Sequence, residues 1–144
     1  MNLDFVFQSA SMLAVVGWVA LLASPLMPRI ADLLASAAVP LLLSIAYSGL
    51  ILAFWTSAQG GFDTLANVAL LFETRELLLA GWLHYLAFDL FVGAWIARTA
   101  RAESVGFLLV APCLILTFLF GPVGFLLFSS IRVARLRGFV TQTA

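Results

Sequence analysis

One aspartate and the chain's single histidine fall inside an apolar stretch, Glu76 to Arg98, that is as long as a bilayer crossing. A charged acid near the middle of a membrane costs at least about 2.5–3.5 kcal/mol on insertion scales, so it faces protein or water and has a reason to be there. Asp89 is therefore the first candidate for chemistry, as a general acid or base. At 100° per residue Trp82, Tyr85, Asp89 and Gly93 share one stripe, while His84 and Trp95 lie on another, about 140° from Asp89. His84 and Asp89 thus cannot share a narrow contact face, but they can line two sides of a pocket. Glu76 is the third acid–base candidate, at the mouth of the same helix beside Glu73 and Arg75.

Other chemistries are excluded by what the chain lacks. A single His84 with scattered acids cannot fill the ligand shell of a di-iron oxygenase, and bis-histidine haem is impossible within one chain. No phosphate-cradling glycine loop or serine-hydrolase constellation is present. Cys113 is alone in an apolar run, which rules out a disulfide framework or thiolate cluster and reads as packing. Zero net charge without a basic patch argues against nucleic acid. The chemistry left is acid–base work with no metal and no cofactor.

The elements that must position these groups are membrane helices. The 144 residues are 64% hydrophobic and 10% charged, with no lysine, against roughly 45–50% and 25% in soluble domains. Uncharged gaps of about 20 residues or more mark crossings. A helix satisfies its own backbone in lipid, and these runs lack the alternation of barrel strands. The expected fold is all-α: a single polytopic membrane domain, 1–144, built as a four-helix transmembrane bundle. Its spans are 5–26, 33–55, 77–97 and 105–131.

Residues 64–72 are apolar but too short to cross, and read as an interfacial or re-entrant helix between helices 2 and 3. Arg29 and Asp32 mark a short turn between helices 1 and 2, and RTARAES another between helices 3 and 4. The first segment lacks a basic n-region and is kept as a span rather than a signal peptide. In helix 4, Pro122 within Gly121-Pro122-Val123-Gly124 demands a kink or a break, read equally as a packing kink and as a device that shapes a substrate cavity. Four crossings put both termini on one side, with Arg75, Arg132, Arg135 and Arg137 there and Arg29, Arg98 and Arg101 opposite, a split that decides orientation poorly. Ala10 with Ala14 and Gly93 with Ala97 are spaced for close helix approach. A homo-oligomer is left open.

WLHYLAFDLFVGAW from Trp82 to Trp95, followed by LTFLFGPVGFLLF from Leu116 to Phe128, resembles the ABA4-like family of small membrane proteins, whose plant members are tied to neoxanthin formation. The matching positions are Glu76, Trp82, His84, Asp89, Leu90, Phe91, Pro122 and Gly124. The resemblance implies carotenoid or apocarotenoid chemistry: an isomerase that opens a 5,6-epoxide to an allenic alcohol, or that moves a double bond. It implies Asp89, His84 and Glu76 as the acid–base groups, and Trp82, Tyr85, Phe88, Trp95 and Pro122 as residues lying against a polyene. The competing class is a non-catalytic carotenoid- or isoprenoid-binding or assembly protein. A channel subunit would want polar stripes on more than one helix. The expected partners are the lipid bilayer and a carotenoid or other isoprenoid, and the expected location is a bacterial inner membrane.

Overall fold

The computed structural model describes residues 2–142, with side chains described through 135; the Arg137 side chain lies outside the described residues. Among the described residues the fold is all-α, with six helices. Helix α1, Leu3–Leu22, opens on Asn2, whose side chain accepts from the Phe5 amide at 3.1 Å. Helix α2, Pro28–Ser57, starts at a proline, which at the first helical position loses no bond it could have made. Arg29 and Asp32, expected in a turn, therefore lie in its first turns. Further along, Pro40 has no N–H for the Ser36 carbonyl, and the helix widens into a π turn over Leu34–Ala38 on its N-terminal side.

Helix α3, Leu65–Glu73, is the short helix expected between spans 2 and 3, capped by the Thr64 hydroxyl. Helix α4, Arg75–Ala102, is longer than the expected 77–97, so Arg98 and Arg101 are helical rather than in a turn. Helices α1, α2 and α4 are each long and apolar enough to cross a membrane.

Helix α4 is the hub: Ala80, Leu83, Leu90, Ala94 and Ile96 are wholly buried along it. Helix α1 lies close because Gly17 admits Leu90, and Gly93 admits Trp18 and Leu21. The Asp4–Arg75 pair, 3.1 Å, ties the start of α1 to the start of α4. The Asp32–Arg101 pair ties the start of α2 to the end of α4. Helices α1 and α4 therefore run together and α2 runs against them.

The segment expected to be a fourth span is not one crossing. Helix α5, Phe107–Phe120, ends at Gly121, and α6, Pro122–Gln142, turns straight back along it. Gly124 packs on Cys113 and Thr117, eleven and seven residues earlier, which only a hairpin allows. The outer arm returns to where the inner one began: Arg132 pairs with Glu103, and Arg135 approaches the Ser104 carbonyl at 3.5 Å. The physical reason is local. Fourteen residues rise only about 21 Å, Gly121 adopts φ +31°, and Pro122 cannot donate to the preceding turn. A four-span bundle is thus corrected to three long helices plus a helical hairpin that enters and leaves at one end.

The correction redistributes the charge. Arg29, Arg98, Arg101, Arg132 and Arg135 now gather at the hairpin end, with Arg137 beyond them in sequence, against Arg75 at the other. That asymmetry, unlike the four-to-three split of a four-span reading, is what the positive-inside rule requires. The hairpin end is expected to face the cytoplasm, with the two termini on opposite sides. Cysteines placed at Asn2 and at Arg135, in a Cys113→Ala chain, should label with an impermeant maleimide from opposite faces of the membrane. Labelling of both from one face would restore the fourth crossing.

Candidate functional site

The hairpin tip comes to rest against the middle of α4, and Asp89 is the residue it meets. A Cβ built on Gly121 would fall 2.8 Å from Asp89 Oδ2 and closer still to Oδ1, so the carboxylate occupies the space a side chain would need. Asp89 Oδ2 is buried without a hydrogen-bond partner. One turn earlier on α4, the Tyr85 hydroxyl donates to the Phe118 carbonyl at 3.2 Å and lies 3.4 Å from that of Leu119. It thereby satisfies carbonyls that the end of α5 leaves open. The tip is latched by a phenol and abutted by an acid.

Two back-bonds stiffen the inner arm where the outer one crosses it. Thr117 Oγ1 donates to the Cys113 carbonyl at 2.8 Å, and Cys113 Sγ to the Leu109 carbonyl at 3.3 Å. Both side chains are fully buried, which agrees with the packing role expected of Cys113.

Because the arms stop halfway along α4, the α1–α4 face beyond the tip is uncovered. A cleft of about 450 Å³ opens there, lined by Leu3, Phe7, Phe72, Leu78 and Trp82, with the Asp4–Arg75 pair at its mouth. Trp82 is held by its indole N–H, which donates to Ser11 Oγ at 3.1 Å. Its ring lies 5.4 Å from Phe7 and 5.3 Å from Tyr85. Asp89 lies seven residues from Trp82, about 10 Å along the helix. The sequence Trp82, Tyr85, Asp89 is thus an aromatic path from an apolar cleft to an acid.

The other expected site residues divide around this path. His84 faces away, stacked on Phe88 at 4.5 Å and 5.8 Å from Tyr47. The angular offset read from the sequence therefore separates His84 and Phe88 from Asp89, rather than placing them on two walls of one pocket. Glu76 sits in the first turn of α4, thirteen residues or about 20 Å from Asp89 along the axis. It does not join the acid. Pro122 does, as the first residue after the tip.

Trp95 packs on the outer arm, 5.5 Å from Phe125 and 5.8 Å from Phe128, with the Arg132 guanidinium 5.7 Å over its ring. Sequence reasoning missed Gly121 as a tip, Thr117 and Gly124 as the crossing point, and Phe72 as a cleft wall. Gly-Pro after a run too short to cross was the available signal for the first.

Outside the apolar helices, hydrogen bonds from Arg132 hold the Glu103 carboxyl below its usual range. A carboxyl depressed on folding stabilises above its ordinary pKa, and that contribution is lost as pH falls through the lowered value. Acidification below the ordinary glutamate range of about 4.3 should therefore free the outer arm. Trp95 fluorescence is expected to report it, since Arg132 sits over that indole, and Glu103→Gln should flatten the transition. A transition of the same size in Glu103→Gln would locate the effect elsewhere.

Among the described residues no group of three or more His, Cys, Asp or Glu side chains is arranged to hold a metal ion. A family model described as ABA DEFICIENT 4-like matches residues 5–128, which agrees with the resemblance carried by the last two apolar segments. No curated protein and no solved structure matches the chain.

Proposed function

The chain belongs to the ABA4-like family, and from that membership we propose that it is a membrane protein of carotenoid or apocarotenoid metabolism whose acid–base group is Asp89. The observation that carries the reading is the Asp89 carboxyl, with a buried unpartnered oxygen, at the end of an aromatic path. An oxygen that no protein group satisfies gains a partner from any substrate that displaces the Gly121 tip covering it. The setting taken for it is a bacterial inner membrane.

Opening a 5,6-epoxide to an allenic alcohol moves protons and no net electrons. One proton goes to the epoxide oxygen as its C–O bond breaks, and one leaves the neighbouring chain carbon as the allene forms. Asp89 suits both steps: its carboxyl gives the first proton, and the carboxylate left behind takes the second, while the Tyr85 phenol one turn away holds the tip over it. Trp82 and Tyr85 offer ring faces to a polyene. Moving a double bond would use the same carboxyl, giving a proton at one carbon and taking one from another.

The separation of His84 and Glu76 from Asp89 favours a second reading, in which the chain holds an isoprenoid without converting it. Pigment profiles of cells supplied with an epoxycarotenoid separate the two. Conversion by the wild type and by His84→Ala, lost in Asp89→Asn, supports the isomerase. A coloured ligand that co-purifies unchanged with all three supports binding alone.

A further inference from the structure

Phe72 and Gly81 belong to two clefts at once. The first is the 450 Å³ cleft that ends at Trp82. The second, about 240 Å³, lies between α2, α3 and α4, and includes Tyr47, Trp55, Phe62 and His84 in its wall. Gly81 lies in the wall of both, and the Phe72 ring rests on it: a Cβ there would meet Phe72 Cε1 at 2.9 Å. The Phe72 ring, on the last turn of the short helix α3, therefore stands where the two clefts meet. Rotating that ring away leaves a saddle at the one position of this part of α4 that has no side chain.

The chemistry of the walls is uneven. The second cleft alone is smaller than the roughly 300 Å³ at which ligand pockets begin. It nevertheless carries a phenol, an imidazole and an indole N–H, the polar handles that fix an apolar ligand's orientation. The saddle is apolar. The far end, at the first cleft's mouth, is an ion pair already satisfied by its own partner. A ligand fitting this pattern is long and apolar, with a hydroxyl or keto group at the end that enters the second cleft.

We propose that the two clefts are halves of one binding site, in which an elongated isoprenoid lies across Gly81 with Phe72 swung aside and Tyr47 and His84 receive its oxygenated end. The assignment rests on the reading that the ligand is an isoprenoid, and is independent of catalysis at Asp89. It gives His84 a role on the face where the structure places it.

The test is tryptophan quenching in the full chain, reconstituted in phosphatidylcholine nanodiscs and titrated with zeaxanthin, hydroxylated at both ends, or with β-carotene, its hydrocarbon counterpart. Saturable quenching at one zeaxanthin per chain is expected, with a share lost in Trp55→Phe and another in Trp82→Phe. Gly81→Leu, which fills the saddle, should weaken zeaxanthin roughly tenfold or more, equivalent to about 1.4 kcal/mol. Phe72→Ala should tighten it by removing the cost of displacing the ring. His84→Ala and Tyr47→Phe should bring zeaxanthin toward the weaker affinity of β-carotene.

Two zeaxanthins per chain, equal affinity for both pigments, or a folded Gly81→Leu chain that binds as the wild type does would overturn the joined site. Should Gly81→Leu fail to fold, unchanged affinity in Phe72→Ala would do the same. Wild-type chain that binds neither pigment would instead overturn the isoprenoid reading itself.

Discussion

Asp89→Asn is expected to lower pigment conversion by about 10²–10⁴-fold, the usual contribution of a positioned general acid or base, while the protein purifies and melts as the wild type does. The substitution is close to isosteric and leaves the space beside Gly121 filled. It removes the transferable proton, and at the buried Oδ2 there is no hydrogen bond to lose. An amide tolerates burial better than an unpaired acid, so the thermal transition should hold or rise.

Two companions sharpen the result. His84→Ala should keep turnover at saturating pigment within a few-fold, since its ring stacks on Phe88 on another face of α4 from Asp89, and should act on KM instead. Tyr85→Phe removes the bond to the Phe118 carbonyl and should cost both activity and stability, by about 1 kcal/mol for the lost hydrogen bond. Undiminished turnover in Asp89→Asn would end the acid–base model and leave the binding reading.

The largest structural effect is expected at Gly124. Any Cβ there strikes Thr117 and the Cys113 carbonyl, where the two arms cross. Gly124→Leu must therefore open the hairpin rather than merely crowd it, at a cost above the roughly 1–3 kcal/mol of ordinary overpacking. Cys113 is fully buried at the crossing and is the natural reporter. It should resist a membrane-permeant maleimide in the wild type and react in Gly124→Leu, with a lowered melting temperature in detergent. Gly121→Ala acts at the tip itself, through its positive φ and the adjacent Asp89 carboxylate, and should lose about 1–3 kcal/mol. Protection of Cys113 equal to the wild type in Gly124→Leu would show that the arms do not close on one another.

Hydropathy was enough to locate α1, α2 and α4, because a crossing is written in the length of an uncharged run. The stripe of Trp82, Tyr85 and Asp89 was likewise legible, and so was the angle that separates His84 from it, since both follow from helical period alone. The hairpin was not. Residues 105–131 are as apolar as a span, and hydropathy does not register a reversal that depends on one left-handed glycine and on contacts eleven residues apart.

Helix ends were misplaced for a related reason. Pro28 reads as a breaker but serves as a first residue, and the arginines after Ala97 look like a loop but continue the helix. The meeting of Asp89 with Gly121 depends on where a distant tip comes to rest, which no local pattern encodes.

A hairpin that reaches only halfway also gives the protein unequal cross-sections. Near Glu103 five helices share the plane, and near Arg75 the two arms are missing and only the short α3 is added to α1, α2 and α4. With each helix about 10–12 Å across, a bilayer holding this chain would yield more room to protein in the leaflet at the hairpin end. Many copies inserted the same way would then act as wedges and bend a flat membrane toward that end.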